Sequence, residues 1–178
     1  MSDSNILHIG KPNSTLDMLL YLLRHGDAVE DPRLQDPERP LSDRGLEQAQ
    51  TAARFFQRLQ ITLDRIIASP VLRAQQMAAP IRELLGVSQF LTSEYLLPGS
   101  DHRQLFDLIG SQEARSVLVV GHEPHLSTTI SLLIAGETAA RIDMKKASCA
   151  CIEIIRPLRK GQGALKWLVT AEQMKLFR

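Results

Sequence analysis

Apolar and polar positions along this chain follow two alternating rhythms. Met18-Leu19-Leu20-Tyr21-Leu22-Leu23 is an unbroken apolar run that stops at Arg24-His25-Gly26-Asp27, the pattern of a central strand covered on both faces. Residues 30–40, with Pro32, Pro37 and Pro40 among charges, read as loop. Ser42 is the expected N-cap of a helix whose core face carries Leu46, Ala49, Ala53, Phe56 and Leu59. A second strand, Arg65-Ile66-Ile67-Ala68, breaks at Ser69-Pro70, and a helix is expected from about 70 to 85, bent or divided at Pro80 and stopped by Gly86. Phe90 to Leu97 reads as a strand running into Pro98-Gly99-Ser100, and residues 101–112 as a helix with Leu105, Leu108 and Ile109 inward. Val117-Leu118-Val119-Val120 is a buried strand ending at Gly121-His122. Pro124 then suits the first turn of a helix running to Gly136. Two last strands, 148–155 and 164–170, are joined through Gly161 and Gly163 as an antiparallel pair.

Strand–helix alternation of this kind predicts an α/β sandwich with a parallel-dominated sheet and an antiparallel edge. It spans one domain over residues 17–178, preceded by an arm, residues 1–16, outside the core. Length agrees, since 178 residues suit a single domain with a real core. Composition removes several functions. A net charge of +1 without any long basic run lacks the footprint of a nucleic-acid binder. No apolar run approaches the ~20 residues of a membrane span, and Met1-Ser2-Asp3-Ser4-Asn5 does not begin a signal peptide. A cytoplasmic protein is therefore expected, with no membrane partner. Cys149 and Cys151, two apart on one strand face, suit small reduced core residues better than a disulfide.

The polar residues gather at strand ends. One strand delivers Arg24-His25-Gly26, another Ser69-Pro70 and then Arg73, and a third Gly121-His122. In open α/β sheets ligands bind outside the carboxyl ends of strands, so two arginines and two histidines are expected to share one crevice. Arginine there implies a planar, bidentate anion, phosphate above all. A histidine there can serve as nucleophile.

The motifs reach further than this chemistry. Leu23-Arg24-His25-Gly26-Asp27-Ala28 resembles the RHG signature of the histidine phosphatase (phosphoglycerate mutase-like) superfamily. Leu41-Ser42-Asp43-Arg44-Gly45-Leu46-Glu47-Gln48-Ala49 resembles the segment opening that superfamily's first helix, and Ala68-Ser69-Pro70-Val71-Leu72-Arg73-Ala74-Gln75-Gln76-Met77-Ala78 resembles its second arginine element. Val119-Val120-Gly121-His122-Glu123-Pro124 resembles the segment carrying its second histidine. The resemblance implies a three-layer sandwich with helices on both faces of the mixed sheet. Within the superfamily, short length and the Gly-His-Glu-Pro segment point to the SixA-type phosphohistidine phosphatases. Only about 50 residues separate Arg73 from His122, which leaves little for a lid.

By this resemblance His25 is a nucleophile that becomes covalently phosphorylated, and Arg24, Arg73 and His122 hold the phosphoryl oxygens. Gly26 lets the backbone approach the phosphate. Like charge from Arg24 and Arg73 would keep His25 neutral, and a backbone carbonyl would hold its tautomer. Glu123 and Glu94 are the candidate general acids, with Asp27 a loop-shaping residue. The expected substrate is a phosphorylated protein, such as a histidine phosphotransfer domain. The alternatives are a small phosphorylated molecule and a non-catalytic phospho-ligand module. No cofactor or metal is called for, His122 and His125 being one residue short of a His-Glu-x-x-His pattern. His8 and His102 read as solvated, and Lys145-Lys146 as a solvated turn.

Overall fold

A computed structural model describes residues 17–177; the expectations of an arm over residues 1–16 and a solvated His8 fall outside them. The first apolar run becomes β1, Asp17–Arg24. Alternate side chains of a strand point to opposite faces, and each face of β1 meets its own core. Leu19, Tyr21 and Leu23 join one apolar cluster and Met18, Leu20 and Leu22 the other. A strand covered on both sides has no solvent face to mark with polar residues.

The chain continues through α1 (Asp43–Arg58), β2 (Arg65–Ala68), α2 (Leu72–Leu85), β3 (Phe90–Thr92), α3 (His102–Gly110), β4 (Ser116–Gly121) and α4 (His125–Ala135). It ends with β5 (Cys149–Ile155), β6 (Gly163–Val169) and the short α5 (Ala171–Met174). One six-stranded sheet in the order β3-β2-β4-β1-β5-β6 results. The pairs β3–β2, β2–β4 and β4–β1 are parallel, and β1–β5 and β5–β6 antiparallel. Residues of α1, α2 and α5 cover one face and residues of α3 and α4 the other. This is the expected three-layer α/β sandwich. Cys149 and Cys151 are free, buried thiols in the α1/α2 layer.

Four local readings change. Leu46 is 45% exposed while Ala49, Ala53 and Phe56 are buried; Gly45 and Gln48 take the inward positions of the first turn and rotate Leu46 out. Pro80 lies inside a continuous α2, held on both sides by buried Met77, Ala78 and Ile81. The strand expected over 90–97 ends at Thr92 because β2 offers only Ile66, Ile67 and Ala68 to pair with. Ser93 then caps a 3-10 turn, Glu94–Leu96, which buries Leu96. His102 is half-buried rather than solvated: its ring stacks on that of buried His125 at 4.1 Å.

These assignments predict unequal costs along one helix. Leu46→Ala should change unfolding free energy by no more than ~0.5 kcal/mol, and Phe56→Ala should lower it by about 3–5 kcal/mol, both read from urea denaturation. A comparable loss in the two variants would contradict the observed orientation of α1.

Candidate active site

The parallel strands end on a common edge, with Arg24 of β1 paired to Gly121 of β4 and Ala68 of β2 to Val120. Three short backbone bonds hold the segment that leaves β1. Arg24 N–H donates to the Ser148 carbonyl at 3.0 Å, His25 N–H to Gly121 at 3.1 Å, and Ala147 N–H to the His25 carbonyl at 3.1 Å. His25 is thus fixed by β4 on one side and by the turn leading into β5 on the other before its side chain is considered.

The next two residues rest on α1. Asp27 N–H donates to Gln48 Oε1 at 2.8 Å, Ser42 N–H to the Asp27 carbonyl at 3.0 Å, and Ser42 Oγ to Asp27 Oδ2 at 2.7 Å. A Cβ on Gly45 would lie 2.0 Å from the Asp27 carbonyl oxygen, and one on Gly26 2.9 Å from Gln48 Oε1. The Ser42, Gly45 and Gln48 spacing of the sequence is therefore a seat for the loop after His25. At Gly26 the neighbour that demands a glycine is α1, a different constraint from the close phosphate approach expected.

The His25 ring has one assignable tautomer. Nδ1 lies 2.7 Å from the Gly26 carbonyl, which only accepts, so Nδ1 carries the proton. Nε2 keeps its lone pair and receives Arg73 Nε–H at 3.3 Å. Burial, with Arg73, Arg24 and Lys146 adding like charge, pushes its pKa down to about 4 against the pull of the Gly26 bond. Sequence reasoning named only the arginines; burial is the larger cause. The His122 ring centroid is 5.0 Å from that of His25, and its Nε2 is 2.8 Å from Ser69 Oγ. Burial, with His25 and Arg73, lowers the His122 pKa to about 3. Both rings are neutral at ordinary pH.

Arg73, in the first turn of α2, is buried. Its Nη1 donates to the Asp36 carbonyl at 2.6 Å and its Nη2 to Asp36 Oδ2 at 2.9 Å. Arg24 turns Nη1 to the Met144 carbonyl at 2.6 Å. Arg24 Nε and His122 Nδ1 are buried without a hydrogen-bond partner among the described residues. The structure thus joins His25, Arg73 and His122 by direct contacts and sets Arg24 beside them in sequence and across from Gly121.

Neither candidate acid occupies a comparable position. Glu123 Oε1 accepts from Ser127 N–H at 2.9 Å, capping the first turn of α4. Glu94 is exposed at the 3-10 turn that follows β3. Two residues that sequence reasoning passed over do reach the site. Lys146, expected in a solvated turn, makes a 2.6 Å ion pair with Asp27 Oδ1 and, with Ser42, holds that carboxyl below the usual range. Asp36 lay in a stretch read simply as loop. The first pairing spans 119 residues and the second 37, so no local pattern announces either.

Residues 20–96 match the family profile described as Histidine phosphatase superfamily (branch 1). Phosphohistidine phosphatase SixA of Escherichia coli (strain K12) is 24% identical over 165 residues, covering 90% of this chain and 99% of that protein. The solved structure of the protein histidine phosphatase SixA complexed with tungstate is 25% identical, with a TM-score of 0.77 over 86% of this chain and 97% of that one. A phosphoserine phosphatase mutant from Entamoeba histolytica shares the fold at 16% identity, with a TM-score of 0.66 over 88% and 98% of the chains.

Two outcomes follow from the geometry. An unfolded histidine takes up a proton near pH ~6.5, whereas folded His25 does so near 4 and His122 near 3. The unfolded chain binds protons first as pH falls, so stability is complete above about 6.5 and declines toward pH 4. Urea midpoints at decreasing pH should show this decline, and it should be shallower in His25→Gln. Gly45→Ala should destabilise the fold by about 1–3 kcal/mol through the collision with Asp27, seen as a lower melting temperature.

Proposed function

The chain belongs to the histidine phosphatase superfamily, and from that premise we propose a phosphatase that removes phosphoryl groups from phosphohistidine in proteins, with His25 as its nucleophile. The observation that carries the chemistry is the unprotonated Nε2 of His25, its lone pair met by Arg73 Nε–H at 3.3 Å while Nδ1 is tied to the Gly26 carbonyl. Nε2 attacks phosphorus, a nitrogen–phosphorus bond forms, and the bond from phosphorus to the substrate imidazole breaks. That imidazole, protonated from water on its other nitrogen, leaves as a neutral ring with the electron pair of the broken bond. Water then attacks the phosphorylated His25, releasing inorganic phosphate and regenerating the neutral ring.

Arg24, Arg73 and His122 stabilise the three phosphoryl oxygens as charge spreads over them. Arg24 Nε and His122 Nδ1 support this role, since buried polar groups without partners are rare in folded proteins and an oxyanion offers them lone pairs.

The surrounding carboxylates favour a phosphoramidate over a phosphate ester. Lys146 and Arg73 hold Asp27 and Asp36 ionised, Glu123 is engaged as an acceptor by Ser127, and Glu94 is exposed. An alcohol leaving group needs a proton from a positioned acid. A phosphorylated imidazole can take its proton from solvent on the other ring nitrogen, where the ordinary imidazole pKa is ~6.5, and so leave as neutral imidazole. Access supports a protein-borne substrate. The chain between Arg73 and His122 is taken up mostly by the rest of α2, β3, α3 and β4, parts of the sandwich, with the 3-10 turn Glu94–Leu96 and short loops between them. No helix among the described residues is long and apolar enough to cross a membrane.

The test compares a phosphohistidine peptide with sugar phosphates on the purified protein. We expect kcat/KM to favour the peptide by at least ~100-fold, about 2.7 kcal/mol of transition-state binding. A covalent intermediate should be trapped in alkali-quenched mixtures, where a nitrogen–phosphorus bond survives, and lost in His25→Gln. Equal rates on the two substrate classes would instead assign a small-molecule phosphomonoesterase, and absence of turnover a binding module.

A further inference from the structure

Arg73 has five N–H donors, and three are engaged within the protein. Nε points at the His25 lone pair, Nη1 at the Asp36 main-chain oxygen and Nη2 at the Asp36 carboxylate. Carboxylate and phosphoryl oxygens suit the same guanidinium fork. Asp36 therefore sets an anion on the group that, on the reading above, receives a substrate oxygen.

The two partners differ in freedom. The Arg73 side chain is 8% exposed and the Asp36 side chain 63%. Arg73 is also anchored through Nη1 to a carbonyl, a contact that exists whatever side chain stands at position 36. The carboxylate is therefore not what places the guanidinium; what it adds is negative charge. A second cation is ready to receive it. Arg39 Nη1 lies 3.2 Å from Asp36 Oδ1, while Arg39 Nε is held by the Val29 carbonyl at 2.7 Å. An aspartate between two arginines, one buried beside the nucleophile and one at the rim, can leave the first without losing its charge partner.

We propose that Asp36 is an internal competitor for the oxyanion at Arg73: its carboxylate occupies Nη2 in the empty site, yields to the phosphoryl group and returns as inorganic phosphate departs. A pocket of two arginines and two histidines holds phosphate well, and a product held well leaves slowly. The tethered carboxylate replaces the departing anion and limits product inhibition. This inference rests on the phosphatase reading, because it assigns Arg73 to the phosphoryl group.

Calorimetric titration of inorganic phosphate and of tungstate into the full chain tests it, with Asp36→Asn and Asp36→Ser as neutral variants and Asp36→Glu as the conservative one. Removing one charge about 4 Å from the anion should tighten binding about 5- to 30-fold in both neutral variants. Inorganic phosphate should become a correspondingly stronger inhibitor, while Asp36→Glu stays near wild type. Unchanged or weaker binding in folded Asp36→Asn and Asp36→Ser would overturn the proposal and leave Asp36 a positioning residue for Arg73. Failure of the wild-type protein to bind either anion would overturn the phosphatase reading itself, and this inference with it.

Discussion

The seat that α1 makes for the Asp27 backbone governs the rest of the site. Gly45 leaves the Asp27 carbonyl no room for a methyl group, and Gln48 and Ser42 satisfy the amide, carbonyl and carboxylate of that one residue. Polar backbone groups buried at a strand end need partners, and here helix and loop supply them to each other. His25, two residues upstream, is held from the other side by Gly121 and Ala147, and its neighbour Arg24 by Ser148. The stretch is held by β4, the segment leading into β5, and α1, and on the proposed reading a ring so constrained needs little reorganisation on meeting phosphorus.

Charge is arranged around this fixed point. Arg24, Arg73 and Lys146 all act on His25, yet each is tied to a different partner: the Met144 carbonyl, Asp36 and Asp27. Burial, reinforced by these cations, keeps the imidazole unprotonated, as the proposed nucleophile requires, while their partners prevent three uncompensated charges from accumulating in one crevice. Asp27 and Asp36 have different standing in this balance. Asp27 is also bonded to Ser42 within the α1 seat, whereas Asp36 projects from an exposed 3-10 turn, Asp36–Glu38.

Much of the fold was legible because burial on both faces of β1 writes an unbroken apolar run, and capping chemistry marks the start of α1 at Ser42. The reading failed where tertiary contacts outweigh periodicity. Leu46 has core spacing, but the neighbouring Gly45 and Gln48 face the loop at Asp27 and displace it outward. Phe90 to Leu97 has strand composition, yet a strand extends only as far as its neighbour does, and β2 is short. His102 carries no local sign of the stacked ring of His125.

By itself the sequence determined the order of elements, the sheet's mixed character and the residues at the strand ends: Arg24, His25, Arg73 and His122. Apolar rhythm, capping and motif spacing are local or in register with one element, and one chain displays them directly. The tertiary structure alone decided which nitrogen of His25 is free, that Asp36 occupies Arg73, and that Lys146 pairs with Asp27. These depend on distances between residues far apart in the chain. Hydrogen bonds and charge pairs act only over a few ångströms, so only the packed sheet brings such residues close enough to interact.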